Sequence, residues 1–506
     1  MNQTTSNSQL NTAFFGHPKG LQTLFLTEMW ERMSYYGMRG LLVIFMTAAI
    51  TDGGMAMTTA TATAIYGIYT ASVYFMGLPG GWLADRLIGG QKAIWYGGII
   101  IMLGHIVLAI PNQGTFFIGL ILVVLGTGLL KPNIGAVVGL LYRSDDDRRD
   151  SGYAIYYMGL NIGSLIGYTV CGYLGEEVGW HYGFGAAAVG MALGLIHFQL
   201  TKGNLQGAAE HPTQSLSAKG ASFTYIGIVA FLIIIAGIAF ATLTGNLTLN
   251  AEQLRDAAQK AFMLIFFLSF AYIFFLGKLS SIEKKGLGAL FLVCVASTCF
   301  WLGFEQAGSS LSLFTRDFTE KTIFGFDIPI TWFQNANPFF IIMLTPFFAA
   351  FWIRLGQRWV TPGYGIKCAI GLMIMGSGFI VMVVAAQIAA SGTNAAAYFL
   401  ILTYFLHTVG ELWLSPIALS AVSKLAPKRY IGQMMGVFVL TYSMGNIIAS
   451  QLAAGYDAEN VADLPNLYMQ IATISIGVGA VVLLIGMFTK GWEKQIVDDK
   501  AASDKG

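Results

Sequence analysis

The sequence predicts an all-α membrane protein of fourteen spanning helices, set out as two bundles of six with an extra pair between them. Three observations predict it. Only 11% of the 506 residues are charged and 55% are hydrophobic, whereas a soluble protein carries about 25% charged residues. Apolar segments of about 20 residues, enough to cross roughly 30 Å of hydrocarbon, recur along the whole chain. Finally, one pair of these segments in the first half is echoed in the second.

The segments fall near 21–49, 59–87, 92–110, 115–141, 153–174, 183–200, 223–243, 258–279, 286–314, 333–353, 364–389, 396–424, 430–452 and 466–490. A mean hydropathy of +0.64 and 61 glycines agree, because glycine lets membrane helices pack closely. Most connections are short, and the longest polar stretch is 201–222. The expected organisation is a bundle over 1–200, a linker with two inserted helices over 201–285, a bundle over 286–490 and a tail over 491–506. No apolar signal-peptide core is read in the first 20 residues, so no cleavage is expected. With the N-terminus cytoplasmic, only Arg255, Lys260, Arg316 and Lys321 fall in outer loops, while Lys278, Lys284, Lys285, Lys424, Lys428 and Arg429 fall inside. That asymmetry predicts that both termini are cytoplasmic.

The repeat decides the architecture. Spans four and five read GTGLLKPNIGAVVGLL and YYMGLNIGSLIG; spans twelve and thirteen read VGELWLSPIALSAVSKL and LTYSMGNIIAS. Pro132 precedes Asn161 much as Pro416 precedes Asn446, and each asparagine closely follows a Met-Gly pair. If the pair at 223–279 is an insertion, these become helices 4–5 and 10–11 of a six-plus-six protein. Parallel repeats of six helices characterise major facilitator transporters, which hold substrate between the halves.

Seven ionisable residues lie inside predicted spans: Glu28, Glu31, Arg32, Arg39, Lys131, Glu305 and Glu411. At about 2.5–3.5 kcal/mol each, facing lipid would cost roughly 17–25 kcal/mol together, so they must face a cavity or one another. Glu28, Glu31, Arg32, Tyr35 and Arg39 fall on one helical stripe. Three cations against four carboxylates leave one acid without a basic partner, and a carboxylate buried without one can hold a proton near neutral pH. The bland alternative is a charge-balanced network with one member reaching water.

Other signals exclude function classes. The net charge of +2 does not suggest nucleic acid. GTGLLK at 126–131 shares only its glycines and lysine with a phosphate loop and lies in an apolar span. The histidines do not cluster, which argues against a metal site; His407, mid-span and one turn before Glu411, reads as a packed polar residue. Cys171, Cys294, Cys299 and Cys368 lack metal-ligand or redox spacing, and no nucleophilic triad has a convincing setting, so no enzyme activity is expected.

Several stretches resemble one family closely. GGWLADRLIGGQK (80–92) is similar to the loop between helices 2 and 3 of major facilitator proteins. EMWERMSYYGMRG (28–40) resembles the ExxER-plus-tyrosines motif of the proton-dependent oligopeptide transporters, the POT or PTR2 family. GTGLLKPN (126–133), YYMGLNIGS (156–164), GWHYGF (179–184), FWLGFEQ (300–306), WFQNANPFF (332–340) and GELWLSP (410–416) match further motifs, so the resemblance spans nearly the whole chain.

The resemblance implies proton-coupled uptake of di- and tripeptides across a bacterial inner membrane, with protons as coupling ion and no other cofactor. It implies that Arg32 and Lys131 hold the peptide carboxylate beside Tyr35, Tyr69 and Tyr74. Asn161, Asn337 and Glu411 would hold the amino end, and Trp301 and Ser415 would line the pocket. Glu28, Glu31, Arg32 and Glu305 would handle protons; Arg39 with Glu305, and Lys131 with Glu411, would be gating pairs; Asp85 and Arg86 would brace the inward-facing gate. Two positions depart from the family pattern. Gly67 stands where animal members place a histidine, and Phe438 where many bacterial members have tryptophan. A carrier of another small anion or of drugs on the same fold is the alternative; retention of ExxER and of Glu411 argues against nitrate. The sequence carries no signal for an oligomeric state.

Overall fold

Leucine, isoleucine, valine and phenylalanine runs that cannot leave backbone groups unpaired in hydrocarbon become helices. The computed structural model describes residues 12–143, 146–323, 325–358 and 362–503. Its helices are α1 (Lys19–Thr47), α2 (Thr59–Leu83), α3 (Gly90–Leu108), α4 (Gln113–Leu140), α5 (Arg148–Tyr173), α6 (Trp180–Thr201), α7 (Ala218–Leu243) and α8 (Ala251–Leu276). Then follow α9 (Ser281–Phe304), α10 (Ser310–Phe318), α11 (Ala336–Arg358), α12 (Tyr364–Ala390), α13 (Tyr398–Leu425), α14 (Ile431–Ala453) and α15 (Leu464–Ser503).

Each predicted span corresponds to one helix, except that 286–314 is broken into α9 and α10 by a tight turn at Glu305–Gly308. Among the described residues eleven segments are long and apolar enough to cross a membrane, counting α9 and α10 as one. α1, α2 and α5 fall outside that set, and α1 and α5 carry many of the polar residues of the sequence motifs. Local chemistry sets several boundaries. Ser280 and Glu283 cap α9 reciprocally: the Glu283 amide donates to Ser280 Oγ (3.2 Å) and the Ser280 amide to Glu283 Oε2 (2.9 Å). Asn112 Oδ1 accepts from the Gly114 amide at the start of α4 (2.8 Å). Four two-residue strands were not predicted; β1 (Thr319–Glu320) pairs in parallel with β4 (Ala395–Ala396), and β2 (Thr322–Ile323) pairs antiparallel with β3 (Phe326–Asp327).

The chain divides into two compact units. The first runs to Leu41 and takes in Ala49–Met55 and Ser72–Asn250; the second comprises Leu42–Ala48, Ala56–Ala71 and the chain from Ala251 onward. The boundary between Asn250 and Ala251 lies inside the expected 201–285 linker, so α7 goes with the first unit and α8 with the second. α8 packs on α14.

In the first unit α3 lies along α4 and α6, and the core gathers Leu21, Leu24, Ile94, Ile101, Leu130, Ile134, Met191 and Phe198. The loop motif folds as a wide turn at Ala84–Ile88. Its Asp85 and Arg86 contribute backbone carbonyls, which accept from the amides of Gln214 (3.0 Å) and Leu216 (3.1 Å). The polar stretch after α6 is thus tied along this turn. Before α1, His17 Nδ1 meets the Tyr142 hydroxyl (2.9 Å), and Arg148 donates to the Gly16 carbonyl (3.0 Å) while paired with Asp146. Those bonds to Arg148 hold the Asp146 carboxyl down at about 2.

In the second unit α12 packs between α13 and α15, and α9 lies against α14 and α15. The repeat seen in the sequence is also a repeat of contacts. Asn161 Nδ2 donates to Tyr157 O on α5, and Asn446 Nδ2 to Tyr442 O on α14, both at 2.9 Å.

Close helix approach in the first unit depends on glycine. A Cβ on Gly80 of α2 would lie 2.0 Å from the Gly128 carbonyl oxygen of α4, while one on Gly77, a turn earlier, meets nothing within 4 Å. Gly80→Ala is therefore expected to cost about 1–3 kcal/mol and to lower the melting temperature of the detergent-solubilised protein. Gly77→Ala should leave it unchanged. Equal melting temperatures for the two variants would contradict this packing.

Candidate functional site

The polar stripe of α1 is in place in the first unit. Glu28, Glu31, Arg32, Tyr35 and Arg39 are all buried. Arg32 Nε lies 3.0 Å from Glu28 Oε1 and 2.5 Å from Glu31 Oε2. Both contacts are ion pairs by distance, yet neither is aligned as a hydrogen bond, and Arg32 Nη2 has no hydrogen-bond partner among the described residues. The Arg32 guanidinium sits over the rings of Tyr35 (5.3 Å) and Tyr36 (6.0 Å), and Arg39 sits over Tyr36 from the other side of the sequence (5.8 Å).

Two further helices complete this cluster. Lys131 of α4 places Nζ 4.0 Å from the Tyr74 ring centroid and 5.9 Å from that of Tyr35. α5 approaches α1 through Gly163, where a Cβ would meet the Met29 carbonyl oxygen at 2.2 Å and Arg32 Cβ at 2.9 Å. The same helix places Tyr156 beside Glu28. Asn161 is buried, with its amide turned to its own helix. Asp85 and Arg86 stand apart from this cluster, in the turn after α2. Basic side chains (Arg32, Arg39 and Lys131) outnumber acidic ones (Glu28 and Glu31) in this cluster.

The second unit holds an acidic half. Glu411 of α13 accepts at Oε2 from Asn337 Nδ2 (3.0 Å), and the same amide donates to Thr408 Oγ1 (3.0 Å). The Thr408 hydroxyl in turn donates to Tyr404 O (2.7 Å), so the Asn337–Glu411 pair is oriented by a satisfied support. Ser415, one turn beyond Glu411, is half-buried with no partner for Oγ among the described residues. Trp301 stacks edgewise on Tyr442 (4.8 Å) and Phe304 (5.2 Å), and its buried Nε1 likewise lacks a partner. Glu305 is buried at the end of α9, with Glu411 among the charges it influences. Tyr69 is buried in the part of α2 that packs with this unit.

Both departures from the family pattern have a visible cause or setting. A Cβ on Gly67 would lie 2.3 Å from Ser450 Oγ and 3.2 Å from Asn446 O, so no histidine fits there. Phe438 is fully buried and meets Tyr442 edge-on (5.5 Å). His407 packs on Phe379 (4.8 Å) with Nε2 unpartnered among the described residues, in keeping with a packed residue. Sequence reasoning missed Tyr36, Tyr156 and Thr408. Tyr36 and Thr408 carried a signal, being three or four residues from Arg32, Arg39 and Glu411; Tyr156 lay in the matched stretch YYMGLNIGS, but as it comes from another helix that stretch did not show its place beside Glu28.

The chain is similar to known proteins along nearly its whole length. The profile described as PTR2, POT family, matches residues 91–491. A peptide transporter of Yersinia enterocolitica is 38% identical over 498 residues, covering 96% of each chain. A di-/tripeptide transporter of Lactococcus lactis is 36% identical over 483 residues, covering 93% of this chain and 96% of its own. A crystal structure of a POT peptide transporter in complex with alafosfalin superposes with a TM-score of 0.87 at 37% identity, covering 96% of this chain and 99% of its own.

Proposed function

Since this chain belongs to the POT family, we propose that it is a symporter that uses the proton gradient to take up di- and tripeptides. The observation that carries the reading is the opposite polarity of the two buried clusters, one in each unit. A short peptide is a zwitterion, with a carboxylate at one end and an ammonium at the other. The first half offers Arg32 and Lys131 among Tyr35 and Tyr74, with Tyr69 assigned to the same end of the ligand; the second offers Glu411 and Asn337, joined by Asn161 for the amine. Matching charge in this way recognises the backbone shared by all short peptides, while the Trp301 aromatic group and Ser415 accept varied side chains. The Lactococcus relative named as a di-/tripeptide transporter and the neighbour solved with alafosfalin support the same substrate class.

Protons are the only cofactor the reading needs. Glu28 and Glu31 share Arg32, and a proton on either acid loosens the ion pair, freeing the guanidinium for the peptide carboxylate; Glu305 handles protons in the second unit. Asp85 and Arg86 brace the inward-facing gate. The distribution of lysine and arginine supports cytoplasmic termini, with the chain in the bacterial inner membrane. Labelled dialanine should accumulate in liposomes under an imposed inward proton gradient, and a dissipated gradient should abolish the accumulation. Uptake indifferent to the gradient, or gradient-driven uptake of nitrate or a drug in its place, would overturn the reading.

Two variants test the assignments. Glu411→Gln should weaken free dipeptides about tenfold or more, the cost of a lost charge-assisted hydrogen bond, and N-acetylated ones much less. An equal loss for both ligands would remove Glu411 from amine recognition. We also propose Arg39 with Glu305, and Lys131 with Glu411, as gating pairs of the transport cycle. Exchanging charges (Arg39→Glu with Glu305→Arg) should restore transport lost in either single reversal; three equally inactive proteins, at matched expression, would rule the pair out.

A further inference from the structure

The break between α9 and α10 is built around one side chain. Gln306 is fully buried, and its carboxamide reaches three elements. Nε2 donates to Leu302 O of α9 (3.3 Å) and to Ala449 O of α14 (3.0 Å), while Oε1 accepts from Ser310 Oγ of α10 (2.6 Å). The carbonyls freed by the break also find side-chain donors. Ser309 Oγ donates to Glu305 O (3.3 Å), Ser312 Oγ to Ala307 O (2.7 Å), and the Tyr468 hydroxyl to Ser310 O (3.2 Å). Gln334 Nε2 supports Ser312 in turn (3.1 Å). Gly308 leaves room for Tyr66, whose hydroxyl would lie 2.0 Å from a Cβ there.

Burying a carboxamide costs free energy unless its hydrogen bonds are made, and a bend needs only glycine and the local serines. A glutamine that spends its donors on α9 and α14 together does something more. It fixes the turn to α14, and the first residue of that turn is Glu305. Along the same two helices, about one to two turns away, Trp301 and Tyr442 meet at 4.8 Å, and Gly445 lets the helices close, since a Cβ on it would lie 2.5 Å from Trp301 Cβ. Any change in the spacing of α9 and α14 at that aromatic pair therefore reaches the Glu305 backbone through the Gln306 carboxamide.

We propose that Gln306 is a positioning residue that ties the placement of Glu305 to α14, and so couples occupancy of the Trp301–Tyr442 region to proton handling. The proposal rests on the reading of the chain as a proton-coupled peptide carrier. Gln306→Met keeps the length of the side chain and removes all three hydrogen bonds. Reconstituted, it should lose gradient-driven peptide uptake about tenfold, while peptide counterflow and its half-saturation concentration stay within about twofold, the split expected when coupling and not binding is lost. Ser310→Ala removes one of the three bonds and should show the same split at smaller size; Ser310→Thr, which keeps the hydroxyl, should behave as wild type. Parallel loss of both modes, or undiminished gradient-driven uptake, in Gln306→Met would overturn the proposal. If Gln306→Met does not fold, the Ser310 variants decide in the same way: a split in Ser310→Ala upholds it, and no split overturns it. Failure of the transport reading itself would show in the wild type, as absent gradient-driven uptake, and the proposal would fall with it.

Discussion

Arg32 is carried into the interior of the first unit between two carboxylates, and much of that unit is arranged around keeping it there. An unpaired charge in such surroundings is prohibitive, and even a paired one is costly unless geometry is good. The chain meets this with Glu28 and Glu31 on the same helix and the faces of Tyr35 and Tyr36. Gly163 is needed because α5 must come within backbone distance of α1 beside Arg32. The proposed coupling uses the same pairing: with two acids sharing one guanidinium, a single proton would decide whether that group is held or released.

The second unit solves a different problem. Glu411 is oriented by the Asn337 amide, and the turn that begins at Glu305 is tied to α14 through Gln306. A neutral amide such as Asn337 orients the Glu411 carboxylate without neutralising it, which suits a group proposed to meet an ammonium. The two halves therefore differ in chemistry while sharing a scaffold, as the matching Asn161 and Asn446 contacts make plain.

Much of this was legible in the sequence, for reasons that can be named. The spans were readable because hydrocarbon thickness imposes a length, and α12, expected at 364–389, is found at Tyr364–Ala390. The α1 stripe was readable because its members share one helix and a fixed angular period. The break in α9 was not, since 286–314 is a continuous apolar run and the bend comes from Gln306, Ser310 and Tyr66, partners distant along the chain or indistinct within it. The resemblance grouped Lys131 with Tyr74, but helical periodicity could not show the ring contact, nor the place of Tyr156 beside Glu28: each joins two helices whose relative rotation no single-helix pattern encodes. The tying of 214–216 to the turn after α2 uses backbone groups, which carry no residue signature.

The central claim is that Glu28 and Glu31 hold Arg32 by charge and release it by protonation. Glutamine at both positions keeps shape and removes that charge permanently. The direct measurement is to reconstitute Glu28→Gln/Glu31→Gln and follow gradient-driven uptake and peptide counterflow on the same vesicles. Gradient-driven accumulation should disappear while counterflow, which moves no net protons, survives. Accumulation at the wild-type level, or loss of both activities in a folded protein, would contradict it.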